Sequence, residues 1–136
     1  GGKKMFELRK INNSSIVAPT ILQKPTTASE TYTIGEALEL VSGALTKASG
    51  TDTATFICAK SYVAPATGMK DISVYPIESN QEYITTFSAT PTSLVAGNKV
   101  TIHTDGAQVT ATTTSGTVEL VKLLGTTSGS KVIVKF

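Results

Sequence analysis

The chain has no tryptophan, one cysteine and one histidine, and only 16% of its 136 residues are charged. A single cysteine closes no intramolecular disulfide, which excludes a stapled secreted scaffold and allows a reducing compartment. One histidine and one cysteine cannot supply a zinc set. Twelve Lys and Arg against ten Asp and Glu leave a net charge of +2, too weak a bias to call for nucleic acid or another polyanion. No stretch approaches the roughly 20 apolar residues that cross a bilayer as a helix, so no membrane partner is expected. No apolar run after Met5 has the length of a secretory signal. Gly1-Gly2-Lys3-Lys4 reads as a tag remnant before a natural Met5, and the expected location is the cytoplasm.

What the chain does have is β-forming residues. Thr and Ser make up about a quarter of it and Val plus Ile about 15% more, a composition that favours strands. Short alternating runs follow one another from Tyr32 onward. In the run from Thr53 to Tyr62, Phe56 and Cys58 fall on one face and Ile57 on the other. Ile72-Ser73-Val74-Tyr75 alternates until Pro76, which favours a strand end or edge there. Residues 118–124 and 131–136 complete the series, separated by the turn cluster Gly125-Thr126-Thr127-Ser128-Gly129. Asp105-Gly106 suits a two-residue type I′ hairpin turn, because both central residues need positive φ. Residues 36–45 fit two readings: Leu38, Val41 and Leu45 would share a helical face, whereas Gly35 and Gly43 favour strands. Residues 5–30 have a different texture. Their apolar residues come in ones and twos, broken by Asn12-Asn13-Ser14-Ser15, Pro19 and Pro25, with no sustained period. An extended arm is expected there, contributing little to stability; a first strand of the main sheet is the alternative.

A repeat organises the strands. Gly35-x-x-Leu38-x-Leu40-x-x-Gly43-Ala44-Leu45-Thr46 aligns with Gly97-x-x-Val100-x-Ile102-x-x-x-Gly106-Ala107-Gln108-Val109-Thr110, and two further strands follow each block. Two copies are too few for a solenoid. They suit one closed barrel or two small units covering each other's apolar faces. The expected fold is therefore mainly β: a small β-barrel or β-sandwich over residues 31–136. It is built from two related hairpin-plus-strands units, about 32–77 and 95–136, with residues 1–30 as tag and extended arm.

Few residues point to chemistry. His103 lies on the face of its strand opposite Val100 and Ile102, with no nucleophile elbow in the sequence. Cys58 shares a face with Phe56 and reads as a buried small hydrophobe. Glu36 and Glu39 fall in the first hairpin, Asp52 and Asp71 near turns, Glu78 and Glu82 in a loop, with no paired-carboxylate pattern. Asp105 serves its turn. The tyrosines Tyr32, Tyr62, Tyr75 and Tyr83 have no regular spacing, which argues against a stacking platform. Neither an enzyme nor a cofactor is expected.

Residues 35–47 (GEALELVSGALTK) resemble the glycine-turn hairpin of head-decoration and capsid-stabilising proteins of tailed bacteriophages. Residues 55–62 and 72–76 are similar to the strands that follow it. The resemblance covers about residues 32–88, while the half from Thr92 onward looks like carboxy-terminal halves of prophage proteins. It implies a structural protein that binds the outer capsid surface and reinforces the shell, with the major capsid protein as partner and a homotrimer as the assembly. An extended arm could add a strand to an exposed sheet edge of the shell, with Phe6, Leu8, Ile11, Ile16 and Val17 as its contact residues. A lattice-specific binder stabilises the lattice by mass action without any catalytic group. The alternative is a cell-surface, adhesin-type interaction domain. Because so few charges guard residues 110–114 and 120–124, self-association through uncharged strand surface is also expected.

Overall fold

The computed structural model describes residues 4–11 and 20–136. The described residues form twelve strands and no helix: β1 (Glu7–Ile11), β2 (Leu22–Lys24), β3 (Thr31–Tyr32), β4 (Ala37–Val41), β5 (Ala44–Lys47), β6 (Phe56–Cys58), β7 (Tyr62–Val63), β8 (Ile72–Pro76), β9 (Gln81–Thr86), β10 (Lys99–Val100), β11 (Val118–Leu123) and β12 (Lys131–Lys135). One sheet has the order β1-β9-β12-β11-β10 and a second β2-β8-β6-β4-β5; β3 and β7 make a small third ladder. All named pairs are antiparallel, and no sheet closes into a barrel.

Alternation along β6 explains the layering. Ile57 enters a core with Ala37 of β4 and with Tyr83, Val118, Leu120, Val132 and Val134 of the first sheet, so the two sheets pack face to face. Cys58 turns the other way, into a second cluster with Leu38, Leu45, Ile72 and Val74, which Tyr32 and Ala64 cover from the side of the small ladder. The second sheet thus has both faces covered, and its strands are short and rich in apolar residues, as buried strands are. Residues 36–45 resolve as strand, hairpin and strand. The β4–β5 turn is Ser42-Gly43, with φ of 52° and 82°, which is the positive-φ pair a type I′ turn needs.

The segment expected to be an arm is largely built into the fold. β1 pairs with β9 at one edge of the first sheet and β2 with β8 at one edge of the second. Phe6 is 1% exposed and its ring meets Phe136 edge-on at 5.0 Å. Its N–H donates to the Gly35 carbonyl at 2.7 Å. Pro25 offers its carbonyl to Leu45 N–H at 2.8 Å, and Thr26 is buried. An edge strand needs only one or two inward apolar side chains, so sparse hydrophobicity at residues 5–11 and 22–26 did not mark them as strands. Ile16 and Val17 lie outside the described residues.

Two further expectations are corrected. The Asp105-Gly106 turn is a longer loop: His103 N–H donates to the Gln108 carbonyl at 2.8 Å and Gly106 N–H to the His103 carbonyl at 2.9 Å. The Asp105 carboxylate caps it by accepting from Ala107 and Gln108 N–H at 2.8 and 3.2 Å. The strand surface expected to lie unguarded is not an edge: β11 runs between β10 and β12, and residues 111–114 are outside the strands. The real edges are short or charged. β1 carries Glu7, Arg9 and Lys10, and β2 has three residues. Both devices discourage edge pairing.

Candidate functional site

Among the described residues, the expected contact residues do not form a free surface. Phe6 is in the core, Leu8 packs against it, and Ile11 is half-buried at the end of β1. Beside them lies an apolar cavity of about 200 Å³, lined in part by Met5, Leu8, Ile34, Ile57, Cys58 and Tyr75. Gly35 sets its geometry. Its φ is +87°, and a Cβ there would stand 2.9 Å from Met5 Cε, so Met5 lies directly on the bare backbone. The Cys58 thiol donates to the Lys60 carbonyl at 3.1 Å, and burial pushes it up to about 11. It stays a protonated thiol at neutral pH, as a structural cysteine does.

A second grouping surrounds Glu36, at the seam between the β4–β5 hairpin and the loop over residues 103–108. Ala37 N–H donates to the Gly106 carbonyl at 2.7 Å, and Cys58 N–H to the Glu36 carbonyl at 2.9 Å. The loop can come this close because residue 106 is glycine: a Cβ there would stand 2.7 Å from Lys47 Cγ and 3.1 Å from Glu36 Cγ. Glu36 is only 4% exposed, and its Oε1 meets no hydrogen-bond partner. Burial raises its carboxyl to about 7; Lys47 opposes that rise, while Glu30 and Asp105 add to it. Phase with Leu38 was the sequence signal for this inward carboxylate, since residues two apart in a strand share a face. Gly106→Ala should destabilise by about 1–2 kcal/mol from its positive φ alone, read as a lower thermal midpoint. The φ at residue 106 is +67° and Lys47 and Glu36 crowd the site, so the loss should exceed that of Gly43→Ala, whose added Cβ meets nothing within 4 Å.

The remaining residues singled out in the sequence serve the fold. Tyr32 donates its hydroxyl to the Leu45 carbonyl at 2.6 Å and accepts Thr27 N–H at 2.8 Å; burial raises it to about 12. Tyr83 donates to Gln81 Oε1 at 2.6 Å, and burial pushes its hydroxyl well above the usual range. Tyr62 accepts Lys70 N–H at 3.1 Å. His103 is half-buried at the start of its loop. Among the described residues no three His, Cys, Asp or Glu side chains are placed to hold a metal ion.

Exposed apolar side chains are the remaining feature. Leu40 and Val41, 40% and 49% exposed, stand at the tip of β4–β5, just before the Ser42-Gly43 turn. Close to this turn β5 is held from its other side by the Thr26–Leu45 bridge and by the Thr27 hydroxyl, which donates to the Leu45 carbonyl at 2.8 Å; Leu45 is the cross-strand partner of Leu40. The strand pair thus exposes two successive apolar residues, one on each of its faces. Comparison with protein-family models, with curated proteins and with solved structures finds no match.

Proposed function

We propose that the chain is a structural protein of a tailed-phage head, binding the outer surface of the capsid shell and reinforcing it. The observation that carries this reading is the apolar tip of the β4–β5 hairpin. Residues 35–47, the first of the segments that resemble decoration proteins, contain this hairpin, and Leu40 and Val41 are the exposed apolar side chains beside its turn. A preorganised tip loses little conformational entropy on docking, and many copies on a lattice would add their contributions through effective concentration. The contact role expected of residues 6–11 passes to this tip, because Phe6 is occupied inside the protein. Leu40→Ser with Val41→Ser should leave the thermal midpoint nearly unchanged and cut co-sedimentation with capsids of the source phage at least tenfold, about 1.4 kcal/mol. Unchanged co-sedimentation would remove the tip from the reading. Binding to whole bacterial cells instead of capsids would favour the adhesin-type alternative. A threefold assembly on the shell belongs to the same proposal, and light scattering of the free protein tests whether it exists before docking.

The proposal includes two related units within one chain, and matching registers support it. Leu38 pairs with Phe56 and Cys58 with Val74; Val100 pairs with Val118 and Leu120 with Val134. Leu45 bridges Thr26 in parallel after β2, and Val109 bridges Phe87 in parallel after β9. Each unit would then begin before its hairpin, at β2 and at β9. Superposing residues 32–77 on 95–136 in a crystal structure should bring Gly43 near Gly106.

A further inference from the structure

We infer that residues 104–106 form a proton-controlled clasp on the β4–β5 hairpin, held shut while Glu36 beneath it is protonated and lifted more often once Glu36 ionises. Both feet of the loop that carries the clasp are fixed. Ile102 exchanges two hydrogen bonds with Gly50, at 2.7 and 3.0 Å, and bridges Val109. Val109 N–H donates to the Thr86 carbonyl at 3.1 Å. Next to that foot, the Ala107 carbonyl accepts from the Thr85 hydroxyl and Gln108 Nε2 donates to the Thr86 hydroxyl, both at 2.8 Å. Four residues thus tie the loop down, and residues 104–106 are left between them. Among the described residues, the hydrogen bond that joins this tip to the hairpin is the one from Ala37 N–H to the Gly106 carbonyl.

Beneath the tip lies a carboxyl group short of donors. Glu36 is 4% exposed and its Oε1 has no partner, and an added Cβ on Gly106 would stand 3.1 Å from its Cγ. A buried acceptor without a donor is costly, and more so when it carries a full charge. The charged groups around it come from three elements. Lys47 of β5 attracts the carboxylate, whereas Glu30, just before β3, and Asp105, in the clasp itself, repel it. No ion pair among the described residues joins Lys47 to Glu36 or Asp105, and Glu30 Oε2 is also buried without a partner. Cys58 of β6 faces Glu36 too, but its thiol, raised to about 11 chiefly by burial, stays neutral. Lifting residues 104–106 relieves both costs, because it admits water to Glu36 and draws Asp105 away.

The sign follows from linkage. Burial first, then Glu30 and Asp105, raise the Glu36 carboxyl from 4.5 to about 7 against the pull of Lys47. In the lifted form water returns it toward the ordinary value. The shut form therefore binds the proton more tightly, so the lifted fraction rises as pH climbs from about 4.5 and levels off above about 7. That interval caps the rise at roughly 300-fold. The clasp involves no partner, so it stands apart from the capsid reading.

Hydrogen exchange of the whole chain, followed by NMR from pH 5 to 8 and corrected for intrinsic rates, tests the inference at the Ala37 amide. Its protection should fall about tenfold or more between pH 5 and 7 and then level off. Low concentrations of urea should leave that exchange nearly unchanged, because lifting three residues exposes little surface. In Glu36→Gln the protection should not vary with pH. Protection independent of pH in the unmodified chain, or the same fall in Glu36→Gln, would overturn the inference. So would exchange at Ala37 that quickens with urea as steeply as at Val109, since both amides would then open only when the whole chain unfolds. Carbon-13 titration of the Glu36 carboxyl is the second measurement: a midpoint near 7 is expected, and one near 4.5 would equally overturn the clasp.

Discussion

Replacing Phe6 with alanine is expected to lower the unfolding free energy by about 3–5 kcal/mol, the usual loss for a buried phenylalanine. For a chain of this length that corresponds to a fall of roughly 10 °C or more in the thermal midpoint. The size follows from what the ring does. It is 1% exposed, it meets Phe136 at 5.0 Å, and Phe136 in turn meets Tyr83 at 5.4 Å, both edge-on. Removing it would leave a cavity where β1, β9 and the end of β12 converge and would loosen the hydrogen bond from Phe6 N–H to the Gly35 carbonyl. Chemical denaturation gives the number directly. A loss below about 1 kcal/mol, the scale of a surface change, would make residues 5–11 an appendage after all.

Stability is expected to fall as pH rises from about 4.5 to about 7, through Glu36. Its carboxyl is raised from the ordinary 4.5 to about 7, chiefly by burial. A group raised in the fold holds its proton more tightly there than in the unfolded chain. Its contribution is therefore complete below the unfolded value and is lost as pH rises through the folded one. The interval amounts to about 3 kcal/mol. Above pH 7 the carboxylate is charged and buried, facing Glu30 and Asp105 with only Lys47 in opposition. Glu36→Gln should remove this slope: nearly as stable as the parent at pH 4.5, and more stable by about 3 kcal/mol above pH 7. Thermal melts of both proteins across pH 4–8 check it. Parallel curves would show that Glu36 is solvated or paired.

The contrast between these two residues shows what the sequence made legible. Cys58 and Ile57 are placed correctly by alternation alone, as are the ends of β8, β11 and β12, because their inward positions are apolar and their turns carry glycine or proline. β9 lies between β1 and β12 in its sheet yet reads as loop, since two of its inward side chains, Gln81 and Thr85, are polar. They are satisfied by partners distant or local, Tyr83 for Gln81 and the Ala107 carbonyl for Thr85. Phe6 and Thr26 were hidden for another reason: an edge strand two to five residues long has too few side chains to establish a period. Glu36 reads from the sequence only as a hairpin carboxylate; its phase with Leu38 makes the position inward, and the closure of the 103–108 loop over it makes it costly. That closure depends on contact between residues about 70 apart in the chain, which no local pattern carries.

The proposed docking of the β4–β5 tip on a phage shell is the central functional claim, and electron cryomicroscopy of tailed-phage capsids from the same source, incubated with the chain, tests it most directly. The expected result is ordered density on the outer shell, with Leu40 and Val41 at the contact and the same density missing for the Leu40→Ser, Val41→Ser protein. Bare capsids at saturating concentrations of the unmodified chain, or density in which the tip points to solvent, would contradict it.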